Sequence, residues 1–154
     1  MTRNFSTGEQ LARPAWIAVL ARATLSELEG QLGAVGELAT LIRVRPAEIG
    51  MVMLRGRVGG TGNAFNLGEA SVVRCAVRFG EGALGVSYLL GRDKRRAELA
   101  ACLDAMLQDP QHHDALQKNF IAPLALAQAQ VRQRRQRAVA DSKVEFFTLV
   151  RGDA

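Results

Sequence analysis

Residues 84–108 read LGVSYLLGRDKRRAELAACLDAMLQ, and their pattern changes from that of a strand to that of a helix. The run 84–90 is short and rich in strand-forming residues. Gly91 then interrupts it, and Asp93 is well placed to accept hydrogen bonds from the first amides of a helix over 93–108. The apolar side chains that should turn this helix toward a core are Leu99, Leu103, Met106 and Leu107.

Short strand-like runs also fill the sequence before this helix. They cover 41–45, 51–58, 69–79 and 84–90, with turns expected at 46–50 and 80–82. The spacing leaves no room for crossover helices, so antiparallel hairpins are expected. The tail, 143–151, again has strand-like composition.

Helical patterns lie at both ends of the chain. Two short helices are expected before the strands, with Ser26 and Glu29 as a capping box. Further helices are expected over 112–120 and from 124 to about 140. We therefore predict an α+β fold, in which N-terminal, middle and C-terminal helices pack on one side of an antiparallel sheet and at its ends.

Composition limits the class of protein. The 154 residues fit one domain, 1–154, and the net charge of +5 favours anionic partners. No apolar run is long enough to span a membrane and the N-terminus is charged, so we expect a cytoplasmic protein without membrane contact. Cys75 and Cys102 should be buried apolar residues, and His112 and His113 surface residues, with no metal site.

Arginines alternate with apolar residues along the strands. If three strands pair with their apolar sides on one core, six arginines share the opposite face: Arg43, Arg45, Arg55, Arg57, Arg74 and Arg78. Like charges across a ladder are mildly destabilising, so such a face favours an anionic complement. It could be a solvated face, the contact for an acidic partner, or the contact for a small anion.

Two glycine-containing corners are candidate anion or partner sites. The loop Gly59, Gly60, Thr61 and Gly62 could present successive amides to phosphate or phosphonate oxygens, or could simply join two strands. At the second corner, Arg92 and Lys94 flank the capping residue Asp93, where cations oppose the helix dipole unless an anion neutralises them. Their closeness in sequence suggests a shared place for an anion.

The remaining features indicate contacts with other proteins more than catalysis. The arginines 132, 134, 135 and 137 spread around a helix, as on an exposed surface or one docked to an acidic neighbour. Phe146 and Phe147 must point to opposite faces of a strand, which leaves Phe147 and Leu149, beside Arg151, for a partner interface. No nucleophilic triad, paired carboxylates or metal-ligand spacing is present.

The stretches RGRVGGTGNAFNLGEASVVRCAVRF (55–79) and 84–108, with IAPL at 121–124 and FFTLVRGD at 146–153, resemble the G subunit of the bacterial phosphonate carbon-phosphorus lyase system. The resemblance implies a subunit of a two-fold core complex with the I, H and J subunits, and the L protein as helper. That complex displaces adenine from MgATP with an alkylphosphonate, forming ribose 1-phosphonate 5-triphosphate.

The family's chemistry is expected to lie in other subunits. The I subunit is its nucleosidase-like component, and a radical iron-sulfur enzyme cleaves the carbon-phosphorus bond. The resemblance therefore implies no cofactor on this chain, with MgATP and alkylphosphonate as substrates of the complex. It matches the two glycine corners, Arg74, Arg78 and the C-terminal segment. The rival readings are a stand-alone nucleotide-binding enzyme and a nucleic-acid-binding module.

Overall fold

The computed structural model describes residues 7–35 and 41–141, and within them three antiparallel strands carry helices on one side. The α+β prediction is confirmed. The helices are α1 Thr7–Leu20, α2 Leu25–Val35, α3 Lys94–Leu107, α4 Pro110–Leu116 and α5 Ala122–Asp141. The strands are β1 Leu41–Arg57, β2 Ala64–Phe79 and β3 Leu84–Leu90, in the sheet order β1–β2–β3.

Capping side chains set the starts of α3 and α2. The carboxylate of Asp93 accepts from the Arg96 amide at 2.9 Å, so the predicted cap of α3 is confirmed. At α2 the predicted capping box is wrong by two positions. The Thr24 amide donates to Glu27 Oε2 at 2.7 Å, and the Glu27 amide donates to the Thr24 hydroxyl at 3.3 Å.

The first strand differs from the prediction. The sequence predicts a turn at residues 46–50, but β1 continues through them and is 17 residues long. Its register with β2 shifts between Arg43 and Arg45 and again between Arg45 and Glu48, so Pro46 lies within the second irregularity. Proline has no N–H for the ladder and is tolerated in a strand at an edge or a bulge, and β1 offers both.

The core lies between α3 and the sheet, and the predicted apolar face of α3 is buried in it. Cys75 and Cys102 are buried there with free thiols, as predicted. Gly85 on β3 allows close approach, because a Cβ atom at this position would lie 2.0 Å from the Ala101 carbonyl oxygen. We call the sheet face that carries α3 the inner face, and the opposite one the outer face.

The C-terminal helices follow one another without a break. Asp109 caps α4, and a wider π-helical turn, Gln117–Ile121, leads directly into α5. This turn ends just before Pro123, which has no N–H to continue an α-helical ladder. The predicted helices over 112–120 and 124–140 are therefore present as one continuous helical segment.

The two histidines are not simple surface residues. Both are half-buried, and His113 Nδ1 donates to the Leu107 carbonyl at 2.6 Å while its ring meets Trp16 edge to face. His112 contacts Asp109 at 3.1 Å and packs against Phe79. The prediction of two surface residues is wrong because both lie on α4, which packs against Trp16 of α1 and Phe79 of β2. No helix in the described ranges is long and apolar enough to cross a membrane.

Beyond the body of the sheet, β1 and β2 continue as a two-stranded hairpin. Pairing between β2 and β3 ends at Val72 and Leu90, whereas β1 and β2 remain paired from Ser71 out to Ala64. We call residues 51–70 the hairpin arm. On β1 the arm spans the seven residues 51–57, and at roughly 3.3 Å per residue it is about 20 Å long.

Candidate functional site

The corner between β3 and α3 presents two exposed cations. Gly91 has a positive φ of 109°, and its amide donates to the Ser71 carbonyl at 2.9 Å, which turns the chain from strand to helix. Arg92 and Lys94 are exposed on either side of the capping residue, and neither forms an ion pair within the described residues. Both side chains are thus open to contact from outside the chain, and the anion or partner contact at this corner stays a prediction.

The next two arginines serve the fold instead. Arg95 lies 3.8 Å from Glu29 on α2, and Arg96 donates to the Ala21 carbonyl at 3.0 Å. These contacts hold the N-terminal helices against α3. The charge available at this corner thus belongs to Arg92 and Lys94.

The glycine loop is a compact turn at the tip of the hairpin arm. Gly59 and Gly60 have φ values of 58° and 81°, and the Gly62 amide donates to the Val58 carbonyl at 2.9 Å. Arg57 closes the turn by donating to the Gly62 carbonyl at 3.1 Å. The Gly62 amide is thus used inside the loop, and Thr61 lies exposed beside it.

The two corners do not form one site. Gly91 is bonded to Ser71 at the base of the arm, while the glycine loop lies at its tip, about 20 Å farther along the strands. The expectation that their closeness in sequence makes a shared anion site is wrong. The glycine loop is the turn of a long hairpin, so residues that follow it along β2 and β3 return to the base of the arm, away from the loop.

The six strand arginines also do not share a face. Directly paired residues lie on the same face, and Arg43 is opposite the buried Val77, while Met51 and Met53 continue the same face toward Arg55 and Arg57. Those three arginines are on the inner face, and the outer face has Arg45, Arg74 and Arg78. The prediction of one cationic face is wrong for two reasons. A register shift puts Arg43 and Arg45 on opposite faces, and Val52 and Leu54, which alternate with Arg55 and Arg57, lie on the outer face of the arm.

The outer-face arginines differ in their surroundings. Arg74 pairs with Glu48 on β1 at 3.3 Å, and both side chains are about half exposed. Arg78 is exposed and lies opposite Ile42 and Leu84. Both are on the face away from α3, so they are separated by the sheet from the helix that Asp93 caps.

Sequence reasoning missed a buried carboxylate. Asp104 is fully buried on α3 and accepts from Arg13 at 2.6 Å, from the Trp16 indole at 2.8 Å and from the Val86 amide at 2.8 Å. The signal was an acid at position 104 inside the apolar run AACLDAML. These bonds join α1, α3 and β3, so its role is structural.

A small cavity of about 120 Å³ also escaped prediction. It lies where β1 meets α3, beside the ion pair of Arg43 and Glu98 at 3.3 Å, with Cys102 in its wall.

Within the described part of the chain, no three His, Cys, Asp or Glu residues lie close enough together to hold a metal ion. The predicted interface residues Phe146, Phe147, Leu149 and Arg151 lie outside the described residues.

Comparison with known proteins assigns the family. Residues 11–152 match the family of phosphonate metabolism protein PhnG. The chain is also 42% identical over 135 residues, 88% of its length and 86% of the relative's, to the alpha-D-ribose 1-methylphosphonate 5-triphosphate synthase subunit PhnG of Rhizobium meliloti (strain 1021). Because both matches extend over most of the sequence, this chain belongs to the PhnG family of phosphonate metabolism proteins.

Proposed function

We propose that this chain is a non-catalytic subunit of a synthase that displaces adenine from ATP with an alkylphosphonate. The observation that carries the proposal is the 42% identity, over most of both chains, to a subunit of alpha-D-ribose 1-methylphosphonate 5-triphosphate synthase. The named product has a phosphonate at C1 of ribose and a triphosphate at C5. It corresponds to ATP in which the phosphonate replaces adenine, which makes the complex a transferase of organic phosphonate catabolism.

The use of polar groups in the described residues supports a role without catalysis. Asp104 is enclosed by donors, His113 is bonded to a carbonyl, and the Ser87 hydroxyl donates to the Ala97 carbonyl at 2.7 Å. Each of these groups makes its hydrogen bonds within the fold and so joins one element to another. We therefore assign the reaction to partner subunits, I, H and J with the helper L, and we propose no cofactor for this chain. MgATP and alkylphosphonate are cytoplasmic substrates of the complex.

Reconstitution tests this function directly. The I, H, J and L proteins of the same organism would be incubated with MgATP and methylphosphonate, with and without this chain, and adenine release followed by chromatography. We expect release only when the chain is present. Equal release without it would contradict the proposal.

Calorimetry of the isolated chain separates the rival functions. We expect no heat of binding with MgATP, because the described residues combine no phosphate-binding loop with a lysine. Saturable MgATP binding would favour a stand-alone nucleotide-binding enzyme. Salt-dependent affinity for an oligonucleotide would favour a nucleic-acid-binding module.

Within this function, we propose that Arg92 and Lys94 contact either a partner subunit or the triphosphate of the substrate. Their support is the combination of exposure, missing ion pairs in the described chain and the amides of the α3 N-terminus. The double substitution Arg92→Ala/Lys94→Ala should abolish assembly or reduce adenine release at least tenfold. Arg22→Ala/Lys118→Ala, which also removes one arginine and one lysine from exposed positions, is the matched control. Full retention of both activities by the first variant would rule out this role.

A further inference from the structure

The hairpin arm has apolar side chains on both of its faces. Met51 and Met53 lie on the inner face, where they are 66% and 53% exposed. On the outer face, Gly56 lies against Phe65 and Leu67, which are 42% and 66% exposed. A ribbon that lies on a flat surface needs only one apolar face, so this arm has the pattern of an element enclosed on two sides.

Among residues 7–35 and 41–141, no third strand pairs with the arm. From Ala70 outward, β2 pairs with β1, and none of the described helices covers these two strands. An isolated two-stranded hairpin is at best marginally stable in water. Added contacts on both faces would therefore stabilise this element.

Charge indicates what kind of surface fits the arm. Arg55 and Arg57 are exposed toward its tip, and neither has an acidic partner among the described residues. The arm has a single acid, Glu69, which lies opposite Met53 nearer the base. A partner surface that packs on the distal half of the inner face should therefore carry carboxylates opposite these two arginines.

We infer that the hairpin arm inserts into a cleft of another synthase subunit, with apolar walls on two sides and acidic groups facing Arg55 and Arg57. This rests on the proposed function, since it presumes a multi-subunit synthase. A second copy of this chain is a poor occupant, because two arms packed together would bring like charges into contact. The outer face of β3 extends the same apolar surface with Val86, Tyr88 and Leu90, which are exposed.

Hydrogen exchange tests the insertion on intact proteins. Amide exchange would be followed by mass spectrometry for the full chain alone and in a complex with the I, H and J subunits. We expect residues 51–70 to exchange rapidly in the isolated chain and at least tenfold more slowly in the complex. Protection already present in the isolated chain would mean that its own residues 142–154 or a second copy cover the arm, and would overturn the inference. Unchanged exchange in the complex would overturn it equally.

Substitutions on each face test the contact itself. Met51→Ser and Leu67→Ser should each weaken binding to the partner complex at least tenfold in biolayer interferometry, while circular dichroism of the free chain is unchanged. The matched control is Leu126→Ser on α5, whose side chain is 63% exposed. Wild-type affinity for both arm variants, or an equal loss in the control, would refute the inference.

Charge reversal tests the acidic part of the cleft. Arg55→Glu should weaken binding more than Arg55→Ala does, because it introduces repulsion as well as removing attraction. Equal losses for the two substitutions would contradict the acidic cleft.

The binding measurements also separate the two proposals. If the wild-type chain does not bind the other subunits at all, the proposed function fails. If it binds them and the arm variants bind equally well, the arm inference alone fails.

Discussion

At the scale of single residues, Asp104 shows how a carboxylate can be stable in an apolar core. Its two oxygens accept from a guanidinium, an indole and a backbone amide. These protein donors replace the water molecules that the carboxylate loses on burial. Arg13 extends the network by donating to the Leu84 carbonyl at 3.0 Å. The network thereby fixes α1 against the start of β3.

Asp104→Ala should destabilise the protein strongly. The change leaves the Trp16 N–H and the Val86 N–H buried without acceptors, at a total cost of about 3 kcal/mol in the free energy of unfolding. Urea denaturation followed by tryptophan fluorescence measures it. The control is Asp114→Ala at an exposed position of α4, expected to change stability by less than about 0.5 kcal/mol. A loss below about 1 kcal/mol for Asp104→Ala would show that the network contributes little.

At the scale of elements, helices were predicted more closely than strands. The bounds of α3 follow from local signals, an Asp cap and an apolar face, which act within a few residues. The bounds of β1 do not, because Pro46 and Gly50 have the composition of a turn while their neighbours pair with residues about 25 positions away. Bulges allow β1 to continue past Pro46, and their positions are determined by the pairing with β2.

The contact between β3 and α3 gives a prediction at this scale. Gly85→Ala should destabilise the protein by about 3 kcal/mol or push α3 off the sheet, because the new methyl group would overlap the Ala101 carbonyl and the Ala105 amide. Gly33→Ala is the matched control, since nothing lies within 4 Å of its added methyl group. Gly33 lies in the last turn of α2, where alanine forms helix better than glycine, so the change should stabilise the protein by about 0.5 to 1 kcal/mol. Thermal unfolding of both variants compares them, and equal melting temperatures would contradict the close packing.

At the scale of the whole molecule, the interface between sheet and helix buries two thiols from different elements. Cys75 lies on β2 and Cys102 on α3. Burial raises the pKa of each thiol to about 11, and at Cys75 the carboxylate of Glu98 adds to the effect. Both should therefore resist thiol reagents at neutral pH for as long as the domain stays folded.

This burial predicts a loss of stability at high pH. Unfolded thiols ionise above about pH 9, whereas the folded ones keep their protons up to about pH 11. The unfolded state then binds fewer protons, so stability falls as pH rises through this window and is insensitive to these thiols below it. Urea unfolding between pH 8 and 11 measures the slope. The Cys75→Ala/Cys102→Ala variant should lose less stability over that window, and identical slopes would contradict the thiol contribution.

The sequence by itself determined the fold class, the cap and buried face of α3, the burial of both cysteines and, through its motifs, the family. These follow from interactions a few residues apart or from a match along the whole chain. Only the tertiary structure decided which arginines share a face, that Asp104 is enclosed, and that residues 51–70 extend beyond β3. The reason is physical: alternation fixes faces within one strand, whereas strand register and helix placement depend on packing between distant segments.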